Sequence, residues 1–195
     1  MLKRIADRKE RKKRFWMGFL LVFLMIFSGA GILIGSRSDS SDWEYNGFKF
    51  RQIENYYIGE FDQKEVIFNF LPHTLLTINT SGNVKDAISR PMLYLGFDPD
   101  SSVQNLLYID LVRNDFERNS DAVIVSTIMK ESDIYALPVM TCDNATQYVP
   151  MIYFKVANET SIKEDNNCII LSGQGIQFLQ LRDMLLYIKY GVIDV

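Results

Sequence analysis

From Phe15 to Gly35 the chain reads FWMGFLLVFLMIFSGAGILIG, 21 residues without a charged side chain. A helix of that length rises roughly 30 Å, the thickness of a bilayer's hydrocarbon core, so the pattern predicts a transmembrane helix over 15–35. A polar linker follows, SRSDSSD at 36–42, and then the pattern shortens. YNGFKF carries the Asn46-Gly47 pair of a tight hairpin turn, and YYIGE, EVIFNF and LLTIN alternate or run apolar between turn residues. These predict a β-meander as the first part, 43–90, of a body covering 43–195.

The second part, 91–195, has a different rhythm. NVKDAISR predicts a short helix leading into it, and PMLYLGF a strand entered by a proline. VQNLLYIDLVRNDFERN has the length and charge spacing of a helix, and AVIVSTIM is β-branched and apolar enough for a buried strand. MIYFKV and CIILSG predict two strands of a hairpin, and IQFLQLRDMLLYIKY a closing helix with Gly191 as its C-terminal cap. Phe178, Leu181, Leu185 and Ile188 form one stripe of that helix, while Ile176, Leu179 and Leu186 lie on another, so both sides need cover. The fold class expected is therefore α/β (α+β): one N-terminal helix, then a mixed-sheet domain.

Charge sharpens the N-terminal reading. Residues 1–14 hold eight Lys or Arg against Asp7 and Glu10, which leaves 13 basic and 22 acidic residues in the remainder. An acidic body excludes nucleic acid as a partner class, because phosphate binding needs a cationic surface. The basic segment 1–14 instead orients the apolar run by the positive-inside rule, leaving the N-terminus cytoplasmic and the body extracytoplasmic. Ser28-Gly29-Ala30 is also a small-x-small site of the kind a signal peptidase cuts. The apolar run continues past it through Ile32, Leu33 and Ile34, which favours an uncleaved single-pass anchor with the lipid bilayer as its partner.

Two cysteines, Cys142 and Cys168, both lie in the body, where an oxidising compartment would join them as a disulfide; two buried free thiols are the alternative. Asn79, Asn144 and Asn158 each open an Asn-x-Ser/Thr acceptor, so the body is expected to be a glycoprotein with those asparagines on its surface. TCDNATQYVP at 141–150 then reads as an exposed loop pinned by the crosslink.

The order β-α-β, loop, β-β-α over 91–190, with YVPMIYFKV and LRDMLLYI, resembles the C-terminal half of thioredoxin-like domains. That resemblance implies a cis peptide before Pro150, then an antiparallel hairpin and a final helix. Where the family carries C-x-x-C this chain reads GFDPDSS, so dithiol exchange by the usual route is not implied. The chain also resembles small membrane-anchored archaeal proteins that share NAT, P-I-Y-F and LRD-LLY segments, a likeness that implies a compartment and no chemistry.

Stretches that suggest chemistry have simpler readings. Asp98 and Asp100 in FDPDSS lack the further ligands of a calcium loop, and Ser101 with Gln104 matches a helix capping box. SGQGIQF has Phe178 where a dinucleotide fingerprint needs glycine. His73 is the one histidine, with no nucleophile paired to it by motif, and two cysteines with that histidine form no metal spacing. Asp110, Asp115, Glu117, Asp121, Glu131 and Asp133 leave a glycosidase-like carboxylate pair open without singling one out. No catalytic residue, metal or cofactor is expected. The function expected is a non-catalytic binding or assembly role at the cell envelope, with a membrane or envelope protein as partner. A degenerate thioredoxin-like redox accessory or chaperone, and an envelope hydrolase using carboxylates, are the alternatives.

Overall fold

The structure is a computed structural model, and it describes Trp16, Met17, Phe19, Leu20, Val22, Phe23, Met25 and residues 42–194. The chain divides into two compact units, 1–41 and 42–195. In the first, the described residues are helical and exposed, with Trp16 against Phe19 and Phe19 against Phe23 at 6.4 Å. Among the described residues no helix is long and apolar enough to cross a membrane. Most of the expected span 15–35, the basic segment 1–14 and linker positions 36–41 lie outside the described residues.

The second unit holds two sheets. Strands β1 (Asp42–Tyr45), β2 (Phe48–Ile53), β3 (Tyr56–Phe61) and β4 (Lys64–Phe68) form the expected antiparallel meander in sequential order. Its first turn is Asn46-Gly47, with φ of 49° and 81°, the left-handed pair a tight hairpin requires. Helix α1 (Pro72–Leu75), with Pro72 in its first turn, where a missing N–H costs nothing, ends on the first residue of the LLTIN segment expected as strand, and Leu76–Ile78 form a turn. Only Asn79–Ser81 is extended, as β5, and it joins the other sheet.

That sheet runs β5-β9-β10-β8-β6-β7. Helix α2 (Val84–Ile88) leads into β6 (Met92–Phe97), helix α3 (Val103–Asn119) crosses to β7 (Val123–Ile128), and β8 is Met151–Val156. β7, β6, β8 and β10 (Cys168–Gly173) are all parallel. The hairpin expected of MIYFKV and CIILSG is therefore absent. Between them Ser161–Asp165 forms β9, which turns at Asn166-Asn167 (φ 52° and 67°) and pairs antiparallel with β10, so β10 returns parallel to β8. No peptide bond among the described residues is cis, so Pro150 does not carry the expected cis bond. AVIVSTIM is not fully buried either: β7 is an edge strand with Val123 exposed.

The two faces of this sheet are covered differently. Leu93, Leu95, Phe97, Ile152, Phe154, Ile169 and Leu171 share the buried face toward α3 and helix α4 (Gln177–Lys189), as the Phe154–Phe178 ring contact at 5.9 Å shows. α4 is buried on both sides, because its other side meets the meander: Tyr187 stacks on Phe68 with centroids 4.2 Å apart and meets Phe50 edge-on. Such ring pairs add about 0.5–1.5 kcal/mol beyond burial. Gly191, at φ +71°, caps the helix as expected. The opposite face carries Tyr94, Met151, Tyr153, Cys168 and Ile170 in register. Segment 129–150 pairs with the edge of β7 through Pro138–Met140 and reaches that face at Cys142, which is disulfide-bonded to Cys168 with Cα atoms 5.3 Å apart.

Candidate functional site

In open sheets with parallel strands, ligands bind beyond the carboxyl ends of the strands. Here that edge gathers the FDPDSS and SGQGIQF loops. Asp98 Oδ1 accepts from the Asp100 N–H at 3.0 Å, and Lys130, just past β7, lies 3.0 Å from Asp98 and 2.8 Å from Asp100. Burial raises the Asp98 carboxyl, but the Asp100 N–H and Lys130 outweigh it and hold it below its ordinary value. The hydrogen bonds Lys130 donates to Asp100 and Asp98 raise Lys130 in turn. Tyr153 is raised chiefly by burial and then by the Asp98 charge. The carboxylates are thus engaged in shaping the turn and holding one cation. The helix cap is Ser102, whose hydroxyl accepts from the Asn105 N–H at 3.4 Å, rather than Ser101 of the expected box.

SGQGIQF satisfies its own backbone in the same way. The Gln174 N–H donates to Gln177 Oε1 at 2.8 Å, and the Gly175 N–H donates to Asn105 Oδ1 at 2.8 Å, tying the loop to α3. An open cleft of about 380 Å³ lies between Ser102, Gln104, Asn105 and Gln174–Ile176.

The second concave region lies where the meander meets α3 and α4. It is a cleft of about 410 Å³ lined by Tyr56, Glu65, Ile67, Leu111, Asp115, Arg118, Leu179 and Arg182 among others. Its floor is Arg182, whose side chain is 2% exposed. The guanidinium donates to the Ile67 carbonyl at 2.7 Å and to Asp115 at 3.1 Å, and its Nη1 stands 2.9 Å from Asp183 Oδ1. That last contact is an ion pair without hydrogen-bond alignment, since Asp183 Oδ1 and Arg182 Nε are buried without a hydrogen-bond partner. Asp183 Oδ2 accepts from the Asn69 and Phe70 N–H groups at 2.7 and 2.9 Å, and the Tyr187 hydroxyl donates to the Phe70 carbonyl at 2.7 Å. Burial pushes the Asp183 carboxyl up to about 7 against the pull of Arg182 and the two N–H groups, and burial likewise raises the Tyr187 hydroxyl. The four hydrogen bonds joining Ile67, Asn69 and Phe70 to Arg182, Asp183 and Tyr187 pin the end of β4 to α4.

The remaining sequence candidates are scattered. Cys142 and Cys168 are joined, and Asn79, Asn144 and Asn158 are exposed. Asn144 Oδ1 accepts from the Thr141 N–H at 2.8 Å and closes the 3-10 turn Cys142–Asn144, while Asn79 starts β5 opposite Ser161. His73 is exposed on α1, its ring 6.4 Å from that of Trp43. Asp110 pairs with Arg113 at 2.6 Å and Asp121 with Lys64 at 3.7 Å, which separates two of the candidate carboxylates into local ion pairs. Among the described residues no three His, Cys, Asp or Glu side chains are placed to hold a metal ion. Arg182 and Asp183 escaped the motif reading. Their signal was an adjacent pair of opposite charges inside the apolar helix LQLRDMLLYI. Comparisons with protein families, with curated proteins and with solved structures found no match.

Proposed function

We propose that the chain is a membrane-anchored extracytoplasmic protein whose body has a non-catalytic binding or assembly role at the cell envelope. The observation that supports this reading is an apolar stripe on the outside of α3. Val103, Leu107 and Leu111 recur at four-residue spacing and are 75%, 61% and 53% exposed. Ile176 stands exposed near the start of the stripe, across the smaller cleft. The far end of the stripe runs into the larger cleft, where Leu111 meets exposed Ile67 and the charged Glu65 and Arg118.

A helix that buries Ile109, Val112 and Phe116 on one side and still presents three large aliphatic groups on the other has the composition of a recognition surface. The partner that fits is an amphipathic segment of another envelope protein, its apolar side on the α3 stripe and its polar groups meeting Glu65 and Arg118.

The test is a photo-crosslinking amino acid at Leu107 in the full chain, expressed in its source membranes. A single defined protein adduct is expected there and not from the same probe at Lys155, and Leu111→Asp should abolish it. Equal labelling from both positions, or none from either, would remove the support. Carbonate extraction of the same membranes checks the anchor: release of the chain would refute it.

A further inference from the structure

The register of the meander brings exposed apolar side chains to one end from both faces of the sheet, Trp43 opposite Phe50 on one face and Ile53 opposite Tyr56 on the other. Asp42 lies opposite Arg51, and Ile53 opposite Tyr56, so the start of β1 and the β2–β3 turn share an end. Trp43, Ile53, Tyr56 and, just past α1, Leu76 are between 40% and 52% exposed. The indole of Trp43 is held at the surface: its Nε1 donates to Gln52 Oε1 at 3.3 Å and its ring lies 6.4 Å from that of His73. Charges along this stretch nearly balance, with Asp42, Glu44 and Glu54 against Lys49 and Arg51. It is also the end at which the chain arrives from the apolar run 15–35, after six residues, 36–41, that span at most about 22 Å when fully extended.

We propose that this end of the meander rests on the headgroup layer of a lipid bilayer, with Trp43 as the interfacial anchor from one face of the sheet, Ile53 and Tyr56 from the other, and Leu76 just past α1. The proposal depends on the reading of 15–35 as a membrane anchor, since the short linker is what brings this end within reach of lipid. Indole and phenol rings suit the interface because one part of each is apolar and the other hydrogen-bonds with water and headgroups. With near-balanced charge the contact is apolar, so it holds on zwitterionic lipid and resists added salt, unlike a polybasic docking patch.

The chain has two tryptophans, Trp16 in the apolar run and Trp43 in the body, so each can be made the sole reporter. The full chain is reconstituted into phosphatidylcholine vesicles carrying a nitroxide either at the headgroup or deep in the acyl chain. In the Trp16→Phe variant, Trp43 emission is expected to fall with the headgroup nitroxide more than with the deep one, and to be unchanged by salt. Adding Ile53→Glu and Leu76→Glu should abolish that loss. In the Trp43→Phe variant, quenching of Trp16 reports insertion of the anchor separately. Trp16 quenched with Trp43 untouched overturns the docking and spares the anchor, whereas neither quenched overturns both. Trp43 emission that follows protein density in the vesicle rather than the nitroxide means a second copy covers this end, and overturns the proposal.

Discussion

The two faces of the six-stranded sheet are closed by different means. On one, helices α3 and α4 seal Phe97, Phe154 and Leu171 from water, and the charges caught in the seam between α4 and the meander, Arg182 and Asp183, are almost wholly buried. On the other, segment 129–150 bends around the edge of β7 and is held by one covalent clamp, Cys142–Cys168, while Tyr94, Tyr153 and Ile170 stay half exposed. Charge behaves accordingly. The Arg182–Asp183 pair is locked by backbone partners, whereas Lys130 with Asp98 and Asp100 sits in solvent at the sheet's carboxyl edge. Burial, rather than the number of charges, decides which cluster matters for stability.

The contrast breaks most sharply at the sealed face. Asp183→Ala leaves Arg182 short of a counter-ion and orphans two N–H groups. Loss of about 3–5 kcal/mol is expected, read as a lower urea midpoint with an unchanged slope. On the clamped face, Cys142→Ser with Cys168→Ser releases a closure of 26 residues' separation. The expected cost is about 3–4 kcal/mol on the chain-entropy account. Wild type with added reductant should match the double variant; a larger loss in the variant would place its cost in the substitutions instead.

The pH dependence sharpens the comparison, because the two clusters have opposite signs. Asp183 is raised from its ordinary 3.8 to about 7, so between those values the folded chain holds a proton that the unfolded chain has released. Stability therefore falls as pH rises through that window, and urea midpoints of Asp183→Asn across it should lose the slope. Asp98 is lowered, so its contribution is present above 3.8 and lost as pH falls. The smallest effect is expected at the open edge: Lys130→Ala should leave the thermal midpoint unchanged within error, since exposed ion pairs contribute little.

Much of this was legible in the hydrophobic pattern. The meander, α3, α4 and the crosslink follow from alternation, helical spacing and a cysteine pair. β9 did not show, because Ser161–Asp165 is polar at all but Ile162 and its turn is marked only by Asn166-Asn167. Without it, two apolar runs separated by a loop look like a hairpin rather than parallel neighbours. The seam was hidden for another reason. An Arg-Asp pair in a helix ordinarily marks its wet side, and only packing of the meander from a distant part of the chain turns that side inward. Ser102 replaced Ser101 as the cap because two adjacent serines offer the same hydroxyl, and the turn geometry set by Asp98 chooses between them.

The bonds that Asn69 and Phe70 donate to Asp183, and the one the Phe70 carbonyl accepts from Tyr187, join positions 113 to 117 residues apart. The meander is made before α4, yet the ring that stacks on Phe68 and the carboxylate that accepts from Asn69 and Phe70 come from α4, more than a hundred residues later. Stepwise closure during synthesis is disfavoured for this body, because the inner face of the meander has no partner until α4 has been made. Until then Phe50, Phe61 and Phe68 form an exposed aromatic surface for a chaperone to hold or a neighbouring chain to trap.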